Sequence, residues 1–372
     1  MRVVLVLNGP ETSAERIVLA RREVPLLGEL RARGVRPAVV LFGDRGGLAN
    51  DFRESGVDVD VISVPMAPRA ASLRRMPFAV RRFRALLRDL EPDLVEATEP
   101  MPAIAAGLAT GRRIVTLYRR QHQTGSWKLL AASRTAARLC TRTVVSSEAM
   151  RGPAAAADRV PLPRVLVAAS GYPDLPPVPR EAVCAARRGL GIPCDAPVVG
   201  AISRLRWEKG LDVLVAAASM LGERVHVVIA GSGPEEARLR AMARDSRARI
   251  HFLGHRDDVA VWYAAADAIA IPSRRESFGR TTIEAMIAAR PIVASAVGGI
   301  PDAVRHDETG LLVPADDPRA LATALERVLD DGALARRLAQ AARAAYESRF
   351  TIAHMAASRR AMWDEALRSH SP

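Results

Sequence analysis

The segment ESFGRTTIE places two carboxylates, Glu276 and Glu284, eight positions apart, with Gly279, Thr281 and Thr282 between them. A glycine just ahead of a helix start lets a ligand approach backbone N–H groups, and the helix N-terminus favours an anion. Carboxylates in the same loop accept hydrogen bonds from hydroxyls. The pattern suits a ligand that carries phosphate and hydroxyl groups together, and a nucleotide sugar is such a ligand. For Glu284 a purely structural reading stands beside this one. Thr281 and Glu284 have the spacing of a capping box, in which the threonine caps a helix and the glutamate reaches back. That reading leaves Glu276 and Gly279 unexplained.

The elements that would position this loop follow from hydrophobic patterning. In the first half, the short apolar runs VVLVL, RPAVVLFG, DVDVISV, DLVEAT, RRIVTLY and RTVVSS alternate with longer helical stretches such as AERIVLARREVPLLGELRARG. Alternation of this kind means a parallel sheet covered on both faces. Four prolines between Gly171 and Arg180 cannot sit inside a regular element and mark a linker. The alternation then restarts with PVVGAISRL, RVHVVIAGSGP, RIHFLG, AIAIPS and PIVASAVGG. The expected fold class is α/β, two doubly wound domains in tandem, with ligands at the carboxyl ends of the strands and in the cleft between the domains.

The 372 residues exceed one ordinary core and fit two domains. Lysine occurs only at Lys128 and Lys209, so each is worth inspecting in a chain whose other cations are arginines. The net charge of +13 is lopsided: residues 1–180 hold 28 cations and 17 acids, the remainder 26 and 24. A basic half attracts nucleic acid, an anionic membrane surface or a phosphorylated substrate. The stacking aromatics of a single-strand binder are sparse and no nucleic-acid motif is present, so nucleic acid is not an expected partner. Cys140, Cys184 and Cys194 show neither metal spacing nor an even disulfide framework, which fits a reducing, cytoplasmic setting. MRVVLVLNGP reads as a first strand, not a leader, and no apolar run reaches the ~18–20 residues of a membrane span.

The run ESFGRTTIEAMIAARPIVASAVGGIPDAV has HDETGLLVP behind it and ISRLRWEKGLDVLVAA and VIAGSGPEEARLR ahead of it. Together these resemble the retaining GT-B glycosyltransferases of family 4, firmly over about residues 195–350 and in outline over the first half. The resemblance implies two Rossmann-like domains facing across a cleft. Residues 1–175 would bind the acceptor, 176–350 the nucleotide sugar, and 351–372 would form a helix crossing back to the first domain. Carried over residue by residue, it implies that Arg204 and Lys209 hold the donor diphosphate without a metal, neutralising charge as it leaves. Gly279, Arg280 and Thr281 would line the phosphates, and Glu284 would take the ribose hydroxyls. Glu276 would face the transferred sugar as a catalytic residue, beside Ser277, Gly9 and the backbone of Phe278. Gly231 of AGSGP, with His255 and Arg256 after HFLG, would lie at the base. His122 of YRRQHQTG resembles the family's histidine near the reaction centre. The alternatives are a solvated helix-start lysine for Lys209, a surface loop for His255 and Arg256, and a structural role for His122. NGPETSAER departs from the family's glycine pair, and SGYPD departs from its Asn-Gly-apolar-Asp.

No cofactor is implied beyond the donor, a UDP- or GDP-sugar; the acceptor would be a glycan, a lipid-linked molecule or a small molecule. A sugar-nucleotide 2-epimerase of the same architecture, and a non-catalytic basic binding protein, are the other readings. In RAASLRRMPFAVRRFRALLR, seven arginines accompany Leu73, Met76, Val80, Phe83 and Leu87 at helical spacing. Such a helix either packs its apolar face on its own sheet and solvates its arginines or lies on an anionic membrane at the inner face, and the arginines alone can meet lipid headgroups in the first case.

Overall fold

Strands form where apolar residues run without alternation, because a parallel sheet with helices on both sides buries both faces of each strand. The computed structural model describes residues 1–10, 13–44, 47–63, 70–110, 115–119 and 127–368. It divides into two units, Met1–Pro173 with Thr351–Pro372, and Asp174–Phe350.

In the first unit the strands are β1 (Arg2–Asn8), β2 (Arg36–Phe42), β3 (Asp58–Ile62), β4 (Leu94–Ala97), β5 (Val115–Arg119), β6 (Arg142–Val145) and β7 (Val165–Val167). They pair in parallel in the order β3-β2-β1-β4-β5-β6-β7. The second unit holds β8 (Val198–Ile202), β9 (His226–Ala230), β10 (Arg249–Gly254), β11 (Ala268–Ile271), β12 (Ile292–Ser295) and β13 (Leu311–Val313), in the order β10-β9-β8-β11-β12-β13. Each unit is the doubly wound α/β sheet expected from the sequence. In each, the chain winds outward, returns, and continues on the other side of its first strand. The reversals lie between β1 and β4 and between β8 and β11, and the crevice outside the carboxyl ends of such strand pairs is where ligands bind in open α/β sheets.

The helix Ala70–Leu90 buries Met76, Ala79, Phe83, Leu86 and Leu87, and the Phe83 ring meets Phe42 edge-on at 6.0 Å. Arg74, Arg75, Arg81, Arg82 and Arg88 are exposed on its other side. Its apolar face is therefore filled by its own sheet, which removes that face from any contact with lipid; the side chain of Leu73 lies outside the described residues. Among the described residues no helix is long and apolar enough to cross a membrane.

The last helix, Ile352–Arg368, packs on the helix Ser13–Ala32. Ile352, Met355, Met362 and Trp363 share a core with Leu26, Leu27 and Leu30. The residues after Phe350 thus complete the first unit's interior.

Candidate functional site

At the reversal of the second unit, β8 and β11 end side by side, and the loops that leave them meet. The loop after β8 carries Lys209 and the loop after β11 carries Glu276. The Lys209 ammonium donates to Glu276 Oε2, and both side chains are only about one-sixth exposed. Glu276 Oε1 accepts from the Ser277 backbone N–H at 3.3 Å. A small depression lies here, lined by Ile202, Ser203, Lys209, Pro272, Glu276 and Thr281.

Backbone packing sets this approach. A Cβ on Gly210, directly after Lys209, would stand 1.9 Å from the Pro272 carbonyl oxygen, and one on Gly298 would stand 1.7 Å from that of Glu276. Only glycine lets these loops close. Gly298 also has φ of +54°, so Gly298→Ala adds backbone strain to a collision with the chain that carries Glu276. Gly34→Ala, at φ +74° with open space around it, isolates the strain alone. The alanine at 34 is expected to cost about 1 kcal/mol and the alanine at 298 roughly 2–3 kcal/mol or more. Thermal unfolding of the two variants side by side measures the difference; equal losses would mean that the contact with Glu276 is unimportant.

Arg274 ties the same two loops together. Its guanidinium donates to both Asp212 oxygens at 2.8 and 3.0 Å, to the Trp207 carbonyl at 2.9 Å and to Asp316 at 2.5 Å, and it lies 5.0 Å from the Trp207 ring centroid. The Arg274 and Arg275 backbone N–H groups both donate to the Glu208 carbonyl. Burial alone would push the Asp212 carboxyl up, but the Arg274 and Arg238 guanidinium groups outweigh it and hold it below its ordinary value. Arg274 has no local signal in the sequence beyond its place two residues before Glu276.

The helix Arg280–Ile287 begins at this loop, with Gly279 at its N-cap in the left-handed region. The capping-box reading of Thr281 and Glu284 is overturned. Thr281 Oγ1 donates to the Ile202 carbonyl at 3.0 Å, joining the helix start to the end of β8. Glu284 Oε2 accepts from Tyr263 at 2.8 Å, and Arg280 lies 3.6 Å from its other oxygen. Burial, then the Glu284 carboxylate, pushes the Tyr263 hydroxyl well above its ordinary value, so it remains a donor. Thr282 beside them is fully buried, and its hydroxyl has no hydrogen-bond partner among the described residues.

The other sequence-predicted residues are placed less favourably. Arg204 is exposed on the loop after β8, five positions before Lys209. Phe278 turns its ring away from the loop surface into the core, edge-on to Phe350 at 5.5 Å, so only its backbone remains for a ligand. The space at Gly231 is taken by the Ser203 carbonyl oxygen, which a Cβ there would meet at 1.8 Å, and a close approach of the two loops is sufficient reason for this glycine. His255 is exposed beside Asp257 at 3.4 Å. Arg256 is committed to Asp258 through two bonds of 2.7 and 2.6 Å, which hold that carboxyl below its ordinary value. In the first unit Gly9 packs on Gly43, whose carbonyl oxygen a Cβ would meet at 1.7 Å. At the reversal there, Asn8 Nδ2 donates to Glu99 Oε2 at 2.5 Å, a polar pair the sequence reading did not single out. His122 lies outside the described residues.

Over residues 196–331 the chain matches the family model described as Glycosyl transferases group 1, and over residues 24–172 that of Glycosyltransferase Family 4. The D-inositol 3-phosphate glycosyltransferase of Xylanimonas cellulosilytica is 41% identical over 201 residues, 51% of this chain and 45% of that protein. That of Corynebacterium efficiens is 42% identical over 167 residues, 41% of this chain and 39% of that protein. The chain thus spans less than half the length of these curated relatives. Among solved structures, a glycosyltransferase of Rickettsia africae superposes with a TM-score of 0.80 at 18% identity, covering 98% of each chain. HepE of Anabaena, solved with UDP-glucose, gives 0.78 at 22% identity, covering 98% of this chain and 99% of that one. At such identities the likeness is one of fold, two Rossmann-like units of the GT-B class.

Proposed function

We infer the function from one premise: this chain belongs to the family 4 glycosyltransferases. On that premise the chain transfers a sugar from a nucleoside diphosphate to an acceptor hydroxyl, with retention at the anomeric carbon. The observation that carries this reading is the Lys209–Glu276 pair at the β8/β11 reversal, beside the start of the helix Arg280–Ile287.

In the proposed reaction, Lys209, Arg204 and the N–H groups at the helix start take the diphosphate, and Glu284 takes the ribose hydroxyls. The buried Thr282 hydroxyl adds an unused polar group at that helix start. The bond from the anomeric carbon to the diphosphate breaks while the acceptor oxygen closes on the same face, and the acceptor proton passes to the departing phosphate oxygen. Charge develops on the diphosphate, where fixed donors lower the barrier most. Glu276 orients a sugar hydroxyl and offsets positive charge at the anomeric carbon. The acceptor would meet the first unit near Asn8 and Glu99.

A uridine donor is the first to test, because the Anabaena neighbour was solved with UDP-glucose; an inositol phosphate is the first acceptor, because it is named for the relatives. Incubation with UDP- and GDP-sugars, with and without acceptors, should give transfer or slow donor hydrolysis. Epimerised donor without any acceptor would overturn the reading. We also place the exposed arginines of the helix Ala70–Leu90 against anionic headgroups on the cytoplasmic side of a membrane. Salt-sensitive flotation with anionic liposomes tests this, and its absence removes it.

A further inference from the structure

Three cysteines with no framework in the sequence become one buried thiol and one pair in the structure. Cys140 is buried, which pushes its thiol up to about 12 and takes it out of exchange chemistry. Cys184 is half-buried on the helix Arg180–Arg188, and Cys194 is exposed in the loop that leads into β8. Ten positions apart, they touch: Cys194 Sγ donates to the Cys184 carbonyl oxygen at 3.9 Å. A second feature fixes this contact. Arg187, on the same helix as Cys184, donates to the Cys194 carbonyl at 2.7 Å and the Ala196 carbonyl at 3.1 Å, while its other nitrogens hold Ala265 and Asp267. The backbone of Cys194 is thereby pinned to the element that carries its neighbour.

We propose that Cys184 and Cys194 form a dithiol site that reacts with small-molecule disulfides and closes reversibly into an intrachain disulfide, fastening the helix Arg180–Arg188 to the loop before β8. With the Cys194 sulfur already beside the Cys184 backbone, on segments held by Arg187, a disulfide can close without moving the backbone far. Exposed Cys194 reacts first. Its thiolate attacks one sulfur of RSSR, forming a mixed disulfide and expelling RS⁻, which takes up the proton that Cys194 lost. The Cys184 thiolate then attacks the Cys194 sulfur and expels the second RS⁻, which takes up the proton from Cys184. Two protein thiols are oxidised, and one RSSR is reduced to two RSH. The hydrogen bond with Cys184, more than burial, raises the Cys194 thiol above its ordinary value. Exchange should therefore quicken toward alkaline pH as thiolate forms.

The site does not depend on the proposed transfer activity, and its test uses none. The full chain is incubated with oxidised glutathione and digested without reduction. The expected product is the Cys184 and Cys194 peptides joined and two hydrogens lighter, with Cys140 unmodified. The oxidised protein should unfold roughly 5–10 °C higher, as closing a short loop in a unit of this size implies. Dithiothreitol should reverse the rise, and C194S, at an exposed position, should abolish it without disturbing the core. Accumulation of a stable glutathione adduct on Cys194, of a Cys194-linked dimer, or of joined peptides with no rise in midpoint would overturn the proposal.

Discussion

Glu276→Gln is expected to slow transfer by about 10²–10³-fold while tightening the binding of UDP, two changes of opposite sign from one neutralised carboxylate. Without ligand, the Lys209 ammonium is occupied by Glu276. A donor diphosphate must draw the lysine away or share it, and it must enter beside a carboxylate of its own sign. Glutamine keeps the shape, releases the lysine and removes that repulsion, so the ground state gains. In the proposed reaction the transition state loses the negative charge that offsets the developing positive charge on the sugar. Lys209→Met should weaken UDP by about 10–100-fold, the scale of one charge-assisted hydrogen bond, and slow transfer by about 10²–10³-fold. It should also cost about 2 kcal/mol of stability, because Glu276, only 14% exposed, is left without its partner. The double variant should recover most of that stability and none of the rate. Titration calorimetry with UDP, donor turnover and urea unfolding read the three quantities. If UDP binds Glu276→Gln more weakly than the parent, the lysine does not serve the diphosphate.

What the sequence made legible divides by the range of the interactions involved. The strands and their parallel pairing were readable because VVLVL, VVIA and AIAI are apolar at consecutive positions, a local property that burial on both faces demands. That Lys209 and Glu276 share one site was expected only through resemblance, and their direct pairing was not expected at all, since nothing local brings together residues 67 positions apart. The errors came where a local motif competed with a distant partner. Thr281 and Glu284 have the spacing of a capping box, yet the Ile202 carbonyl, 79 positions away, takes the threonine, and Tyr263 takes the glutamate. Phe278 is not among them: only its backbone was expected at the sugar, and its ring serves the core against Phe350. Arg256 is the opposite case. Asp258, two positions on, is a partner that the sequence itself offers to this arginine. The contact of Cys184 with Cys194 needed the helix Arg180–Arg188, whose docking through Arg187 has no local signal.

The largest loss of stability is expected from Arg359→Met. Arg359 is 1% exposed on the last helix, and its guanidinium lies 3.7 Å from Glu23 and 3.6 Å from Glu96, carboxylates whose side chains are 2% and 1% exposed. These separations are too long for hydrogen bonds, so the attraction is that of charges in a poorly solvated interior. Glu23 is also bonded by Arg22 at 3.0 Å, and Glu96 accepts from Trp363 Nε1 at 2.8 Å. Burial pushes Glu96 above its ordinary value, and Arg359 only partly offsets it. Burial acts on Glu23 in the same direction, but Arg22 and Arg359 outweigh it and hold that carboxyl down. Methionine would fill the space and leave two carboxylates facing each other across it, at a cost of about 3–5 kcal/mol near neutral pH. The sign of the pH dependence follows. Glu96 is protonated more readily in the folded chain than in the unfolded one, so its part of the stability is full below the unfolded value of 4.5 and is lost as pH rises through the folded value. Glu23 contributes in the opposite sense, losing its stabilisation as pH falls. Removing Arg359 weakens the restraint on both carboxyls. The variant should therefore recover stability relative to the parent as pH is lowered toward the carboxylate range, and Glu96→Gln in the variant should restore part of the loss at neutral pH. Hydrogen exchange should place the loss in the last helix and in β1 and β4, leaving β8 and β11 protected. A penalty independent of pH, with no rescue by Glu96→Gln, would mean that Arg359 acts through packing and not through its charge.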